Sequence, residues 1–217
     1  MFLKYSHILV VAGLLLGVIA CQRTDTNTRL PIFGERETTT KMVNGQQVVD
    51  TIYHSIPPFR LLNQDSIWVD NATFKGKIYV ADFFFTTCPS ICPLMKSQLL
   101  RVAERYKNNP KVGILSHTVD PEHDTIPVLK EYAQRLSARP EQWNFVWGNR
   151  DTIYNLAQAY FTPRPEADVA APGGFNHSGL IVLVDTKGRV RGAFQGTSAV
   201  EVDKLLVAME RLLQEKE

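Results

Sequence analysis

The chain has 217 residues, and its 24 lysines and arginines nearly balance 22 aspartates and glutamates, which leaves a net charge of +2. These charges are scattered along the sequence, which excludes the basic patch expected of a nucleic-acid-binding protein. Roughly 160 residues follow the N-terminal segments described below, the usual length of one domain with a full hydrophobic core. We therefore expect no second domain.

The first 21 residues have the pattern of an export signal. Lys4 precedes an apolar stretch from Ile8 to Ala20, which is shorter than the roughly 20 residues needed to cross a bilayer. The stretch ends in Val-Ile-Ala-Cys, which resembles the lipobox of bacterial lipoproteins, where the cysteine is lipidated and becomes the first residue of the mature protein. We expect residues 1–21 to be a lipoprotein signal peptide with Cys21 as the lipid acceptor. An uncleaved, short membrane anchor is the alternative.

The next segment, residues 22–50, is rich in Thr, Asn, Arg and Gly and has no sustained periodicity, so we expect an irregular tether. Residues 51–217 remain as the folded domain. If Cys21 is acylated, Cys88 and Cys92 are the two thiols left in the mature chain. An exported domain with one cysteine pair suits an oxidising compartment.

The folded domain begins with a predicted hairpin. Two apolar segments between Ile56 and Val69 are separated by the turn residues Asn63–Ser66, which predicts an N-terminal hairpin beside the main sheet. The run from Ile78 to Phe85 is apolar apart from Asp82, which is typical of a strand covered on both faces. An amphipathic helix is predicted from Pro93 to Lys107.

The alternation of strand and helix then repeats. Val112–Val119 predicts a second strand, and Asp124, Thr125 and Pro127 signal the start of a second helix. Further along we expect a short strand, a brief helix, a hairpin and a closing helix, at Phe145–Trp147, Ile153–Tyr160, Gly179–Phe194 and Val202–Leu213. This order predicts an α/β fold: a thioredoxin-like sandwich with a central mixed sheet, an N-terminal hairpin and a C-terminal helix.

Two cysteines lie at the corner between the first long strand and the first helix. Pro93 is tolerated only in the first turn of a helix, so the helix should begin near Cys92, with Cys88 on the preceding loop. Because unpaired N–H groups at a helix start favour thiolate, we expect Cys92 to ionise more easily than Cys88. The three residues between them leave the sulfurs free to form a disulfide or to surround a metal ion. A purely structural disulfide is the alternative.

Three segments together resemble the SCO/SenC family of copper-handling proteins. They are the run Phe84–Met95, which contains Cys-x-x-x-Cys-Pro, the segment Thr118–Thr125, and Asn176–Ser178 ahead of a hairpin. They occur in the family's order along most of the chain from about Ile56. The resemblance implies a thioredoxin-like domain that delivers copper to the dinuclear copper site of cytochrome c oxidase, or reduces the cysteines of that site.

The resemblance also implies that Cys88, Cys92 and His177 are the copper ligands. Two thiolates and one imidazole suit Cu(I) in a trigonal site and can also hold Cu(II), whereas structural zinc would need a fourth protein ligand. Without the resemblance, His177 could be an ordinary loop residue. His117 and His123 compete with it because both lie near the end of the second strand, where α/β folds place their sites. We expect His117 within the strand and His123 in a solvated turn.

Three more residues are candidates to support the site. Asp82 resembles the buried acid of thioredoxins, and it either transfers protons or bonds to nearby backbone or to Lys77. Asp120 begins a segment that we expect to form a turn and cap the second helix, or else to share in the metal or partner surface. The family often carries an acid immediately before the ligand histidine, and here Asn176 replaces it, so only an amide is available to orient the ring.

Two functions follow from the cysteine pair. The leading hypothesis is a membrane-tethered copper metallochaperone of the bacterial cell envelope, with its domain in the periplasm and the copper-accepting subunit of cytochrome c oxidase as its partner. The alternative is a thiol–disulfide oxidoreductase that reduces partner cysteines, although thioredoxin-like motifs usually have two residues between the cysteines. His177 discriminates between them, because disulfide exchange does not need it. A thiol peroxidase would need a polar pocket that the sequence does not reveal.

Overall fold

The structure, a computed structural model, describes residues 29–215. The expected signal peptide and Cys21 lie outside the described residues. Four α-helices lie in this range: α1 (Ile91–Arg105), α2 (Ile126–Arg135), α3 (Arg150–Ala159) and α4 (Ala199–Gln214). The strands are β1 (Arg36–Val43), β2 (Gln46–Tyr53), β3 (Arg60–Asn63), β4 (Trp68–Asp70), β5 (Ile78–Phe84), β6 (Val112–Thr118), β7 (Trp143–Trp147), β8 (Glu166–Ala167), β9 (Phe175–Asn176), β10 (Leu180–Val184) and β11 (Val190–Gln195).

Seven of these strands form one mixed sheet in the order β11-β10-β5-β6-β7-β3-β4. The parallel strands β5, β6 and β7 lie at its centre, and the antiparallel hairpins β3-β4 and β10-β11 form its two edges. The predicted α/β sandwich with a mixed sheet, an N-terminal hairpin and a C-terminal helix is confirmed. Every residue of β5 and β6 is buried, as the nearly unbroken apolar runs predicted.

Helices cover both faces of the central sheet. Alternate residues of β5 point to opposite sides, so they pack against different helical layers. On one face, Tyr79 and Phe83 contact Tyr160, the residue that follows α3. On the other face, Phe84 lies against Lys96 of α1. The carboxyl ends of β5 and β6 therefore lie between two layers of helices.

None of the helices within residues 29–215 is long and apolar enough to span a membrane.

The expectation of an irregular tether over residues 22–50 is wrong for its second half. β1 and β2 form an antiparallel hairpin whose turn, Asn44-Gly45, has positive φ at both residues, as a type I′ hairpin turn requires. The hairpin is almost entirely exposed, so its strands lack the alternation of apolar and polar residues that marks a half-buried strand. The Asn-Gly dipeptide was the available signal. The domain boundary at residue 51 falls inside β2, and the division into signal, tether and domain stays a prediction.

Candidate metal centre

The cysteine pair lies where β5 leads into α1. Phe85-Thr86-Thr87 connects the end of β5 to Cys88, whose N–H donates to the carbonyl of Phe85 at 3.3 Å. Helix α1 begins at Ile91, so Cys92 is its second residue, as Pro93 predicted. Both cysteines are buried, with exposed fractions of 7% and 1%, and both are free thiols.

His177 reaches the same corner from a distant loop. It follows β9, which pairs with β8 in a small antiparallel sheet. Its Nε2 lies 3.7 Å from Sγ of Cys88 and 3.6 Å from Sγ of Cys92, and the three ligand atoms all lie within 4.8 Å of one another. Nδ1 lies 3.3 Å from the carbonyl oxygen of Ser178, which can only accept, so Nδ1 carries the hydrogen. The lone pair of Nε2 therefore faces the sulfurs.

The loop that precedes His177 packs directly on the cysteine corner at Gly173. This glycine has φ +79, and a Cβ at this position would lie 2.7 Å from the Phe85 ring and 3.0 Å from Cδ of Pro89. The Phe85 ring in turn meets the imidazole of His177 edge-on, with 5.3 Å between ring centroids. Glycine is needed here for both its backbone conformation and the close approach. The two parts of the site are thus packed together through Phe85.

The ionisation order of the two thiols is the reverse of the prediction. Burial raises the pKa of Cys92 well above its usual value, and its first-turn position does not offset the desolvation. Burial also opposes ionisation of Cys88, but hydrogen bonds, first from the backbone N–H of Ser90, outweigh it and lower the pKa of Cys88. The N–H groups at the start of α1 thus act on the loop thiol. Cys88, and not Cys92, is the thiol that ionises more easily.

Asp82 is fully buried, but its partner is not the predicted Lys77. Nζ of Lys96 donates to Asp82 Oδ2 at 2.6 Å and to Ser116 Oγ at 3.0 Å. Sequence reasoning missed Lys96, although a signal existed. The signal was its spacing: Lys96 lies four residues after Cys92 and three before Leu99, on the apolar face of α1, where the structure buries it.

The segment Asp120–Thr125 forms the expected turn but does not cap α2 with its side chains. Thr125 holds the N-cap position without a side-chain hydrogen bond. Asp124, fully buried, instead accepts from the N–H of Thr86 at 3.0 Å, from the Thr86 hydroxyl and from the Thr118 hydroxyl at 2.5 Å. Asp124 therefore fixes the loop before Cys88 to the end of β6. Asp120 contributes its carbonyl, which accepts from the N–H of Asp124 at 2.8 Å.

The remaining candidates lie apart from the three ligand atoms. Asn176 donates through its amide to Asp168 at 2.7 Å, so it does not turn toward the imidazole of His177. His117 lies within β6, as predicted, and its ring stacks on Phe83 at 4.6 Å on the opposite face of the sheet from Lys96. His123 is exposed. Within residues 29–215, neither histidine belongs to the group of side chains close enough to hold a metal ion.

Two sulfurs and one imidazole nitrogen in a largely buried corner suit two kinds of chemistry. Soft thiolate ligands with one imidazole select copper, above all Cu(I), over hard oxygen-seeking cations. Burial lowers the pKa of His177, so the imidazole stays neutral and free to bind a metal at physiological pH. The same sulfurs can also form a disulfide, which would withdraw two of the three candidate ligands at once. The donor set therefore fits copper when the cysteine pair is reduced.

Comparison with known proteins identifies relatives over most of the chain. The family model described as SCO1/SenC matches residues 50–214. The SCO1 protein homolog of Bacillus subtilis is 31% identical over 167 residues, which is 75% of this chain and 84% of that protein.

Solved structures show the same architecture. A SCO1/SenC family lipoprotein from Bacillus anthracis superposes with a TM-score of 0.66 at 26% identity, covering 73% of this chain and 95% of that one. BsSco, described as a member of the Sco family of cytochrome c oxidase assembly proteins with a disulfide switch, gives 0.63 at 27% identity, covering 75% and 95%. Copper-bound ScoI of Bradyrhizobium japonicum gives 0.56 at 27% identity, covering 73% and 97%.

Proposed function

The chain belongs to the SCO1/SenC family, and from this premise we propose that it is a copper metallochaperone for the dinuclear copper site of cytochrome c oxidase. One observation carries the proposal. Nε2 of His177 lies within 3.7 Å of both cysteine sulfurs, although it comes from a different loop. A structural disulfide would need no imidazole at this place, whereas an imidazole beside two sulfurs completes a three-ligand site for copper.

The site is suited to releasing its cargo as well as to holding it. Its three ligands come from two separate segments, the strand-to-helix corner and the loop after β9. Thiolates of an acceptor can replace these ligands one at a time, because Cu(I) tolerates two or three soft ligands. A site that binds by exchangeable thiolates suits delivery better than permanent storage. The copper-bound ScoI structure supports copper as the cargo.

We place the domain in the bacterial cell envelope, tethered to a membrane through an acylated Cys21. The lipobox-like Val-Ile-Ala-Cys and the likeness to a lipoprotein of the same family support this assignment. Arg29, the first described residue, lines one cavity with Ile78 at the amino end of β5. The cysteines follow the carboxyl end of that strand, so a tether entering here would leave the copper site facing away from the anchor.

A second function, thiol–disulfide exchange, is favoured by the unequal thiols. Cys88 has the lowered pKa and the greater exposure of the pair, which suits the thiolate that attacks or is attacked in exchange. In this alternative, two electrons pass from the dithiol to a partner disulfide, which leaves Cys88 and Cys92 joined and the partner with two thiols. The disulfide switch named for BsSco is a related chemistry on the same fold.

The substitution His177→Ala separates the two functions, with exposed His123→Ala as the matched control. The purified, reduced full chain in detergent should bind one copper ion, and the oxidised chain almost none. His177→Ala should weaken Cu(II) binding sharply and remove the nitrogen signal from electron paramagnetic resonance, while the Cys88–Cys92 disulfide still forms and His123→Ala behaves as the wild type. In copper-limited cells His177→Ala should lower cytochrome c oxidase activity. Full oxidase activity with that variant would favour the oxidoreductase.

A further inference from the structure

Lys96 is a charged residue on the buried face of α1, one helical turn after Cys92. Residues four apart lie on the same helix face, and helical side chains lean toward the N-terminus of the helix. The Lys96 side chain therefore runs back toward the turn that carries Cys92. Its exposed fraction is 2%, and its Nζ lies 3.9 Å from the centroid of the Phe84 ring, at the end of β5.

The ammonium is held by a buried network rather than by solvent. It donates to Asp82 at 2.6 Å and to Ser116 at 3.0 Å, and the Ser116 hydroxyl also accepts from the indole N–H of Trp143 at 2.9 Å. Desolvating two charges costs free energy that their mutual attraction often does not recover, so a buried ion pair is weak evidence of a stabilising role. The Lys96–Asp82 pair lies on the side of α1 that carries Cys92, so a role in the chemistry of the metal centre is the alternative to a stabilising role.

The charge of the site depends on the oxidation state of the copper. Two thiolates, a neutral imidazole and Cu(II) form a neutral assembly, and one electron from an external reductant converts it to the Cu(I) form with a single negative charge. A fixed positive charge within a poorly solvated region lowers the energy of that negative state. The Lys96 charge acts in this sense on Cys92, whose pKa it lowers against the larger raising effect of burial.

The negative charge of Asp82 does not cancel this effect at Cys92. Asp82 lies two residues before Phe84 in β5, farther from the carboxyl end of the strand where the cysteine corner begins. Nζ of Lys96 lies over the Phe84 ring itself, and Lys96 is on the same helix face as Cys92. The ammonium is thus the member of the pair on the helix face that carries Cys92. His177 experiences both charges, with opposite effects.

We propose that Lys96 is a positioning residue of the site: Asp82 and Ser116 hold its ammonium beneath Cys92, where its charge favours the Cu(I) state over the Cu(II) state. The inference rests on the proposed function and deepens it, because it names what keeps the cargo reduced. Lys96 itself is not a ligand.

The test compares Lys96→Met, Lys96→Met/Asp82→Asn and wild type as full chains in detergent. Competition with chelators of Cu(I) and of Cu(II) gives the two affinities separately. In Lys96→Met the Cu(I) affinity should fall about tenfold relative to the Cu(II) affinity, which corresponds to a one-electron potential about 59 mV lower. The double variant also removes the Asp82 carboxylate, which Lys96→Met alone would leave buried and unpaired. Because the opposing negative charge is lost as well, the ratio of Cu(I) affinity to Cu(II) affinity should fall less, by at least about twofold.

Lys107→Met is the matched control, because it removes the same charge from an exposed lysine beyond the end of α1. Its affinity ratio should equal that of the wild type. An unchanged ratio in folded Lys96→Met, or in the double variant if Lys96→Met alone does not fold, overturns the inference and leaves copper binding intact.

A readout without copper keeps the two proposals distinguishable. Dithiothreitol reduces the Cys88–Cys92 disulfide by breaking its S–S bond. It passes two electrons to the two cysteine sulfurs, gives its two thiol protons to those sulfurs or to solvent, and leaves as its own cyclic disulfide. Loss of Lys96 should make this reduction less favourable, because the reduced pair carries negative charge, mainly on Cys88, whereas the disulfide carries none. A wild type that binds no copper would contradict the proposed function, and the disulfide equilibrium would then decide the role of Lys96: a shift supports the charge effect, and no shift overturns it.

Discussion

Nε2 of His177 lies 3.6 Å from Sγ of Cys92, although 85 residues separate them along the chain. The contact depends on two features. Pro93 places Cys92 in the first turn of α1, and the loop before His177 reaches the corner by packing Gly173 against Phe85. The first feature is local and the second is tertiary. Substitutions that disturb one without the other should therefore separate copper binding from disulfide formation.

Gly173→Ala should weaken copper binding while leaving the thiols intact. A Cβ at Gly173 meets Phe85 and Pro89, so the loop that carries His177 must move away from the cysteines. We expect Cu(II) affinity to fall by about tenfold, with normal disulfide formation. Gly174→Ala is the matched control, since Gly174 also has positive φ but has open space around its Cβ position. Equal Cu(II) affinities in titrations of the two variants would contradict the packing argument.

Asp124→Asn should loosen the loop before Cys88. The amide cannot accept every hydrogen bond that the Asp124 carboxylate takes from Thr86 and Thr118, so the free energy of unfolding should fall by about 1–3 kcal/mol. Urea unfolding measures this loss. The half-buried Asp120 gives the control, and Asp120→Asn should change stability much less. A loss of equal size in both variants would count against the role of Asp124.

The stability difference between wild type and Asp124→Asn should also depend on pH. Burial, the largest cause, raises the pKa of Asp124 above its ordinary value of 3.8, so the folded state holds this proton more tightly than the unfolded state. The stability contributed by that proton is complete below the ordinary pKa and is lost as pH rises through the raised, folded-state pKa. The difference should be largest in acid and shrink as pH rises. Urea unfolding at a series of pH values tests the sign.

Cys88 should react faster than Cys92 with iodoacetamide at neutral pH in the reduced chain. Cys88 has the lowered pKa and is the more exposed thiol, and burial holds Cys92 in its neutral form. We expect about a tenfold difference in rate, because the thiolate is the nucleophile. Peptide mass spectrometry of Cys88→Ser and Cys92→Ser chains reports each thiol alone. Faster alkylation at Cys92 would restore the order expected from the helix start.

Cys21→Ala should release the protein from membranes or block its processing. Cys21 follows Ala20 in the lipobox-like sequence and is the proposed acyl acceptor. Membrane fractionation and the mass of the mature chain measure the effect. Cys88→Ala also removes a cysteine; it should leave the fractionation unchanged and alter the mature mass only by the substitution itself. A mature mass of Cys21→Ala that differs from the wild type only by the substitution would rule out lipidation at this residue.

The sequence by itself determined the local framework of the domain. Unbroken apolar runs predicted β5 and β6, and Pro93 predicted where α1 begins, because hydrophobic periodicity and proline geometry act over a few residues. The resemblance to the SCO/SenC family, rather than any spacing, pointed to His177 as the third ligand. The exposed hairpin β1-β2 was missed because it buries no apolar face.

Only the tertiary structure decided which groups surround the site. Asp82 meets Lys96 rather than Lys77, and Asp124 meets Thr86, 38 residues earlier, rather than the start of α2. The order of the thiol pKa values also reversed, because it depends on how deeply Cys92 is buried and where the N–H of Ser90 points. Desolvation depends on how deeply a group is buried, and hydrogen bonding depends on the direction of the donor. Neither can be inferred from the spacing of residues along a chain.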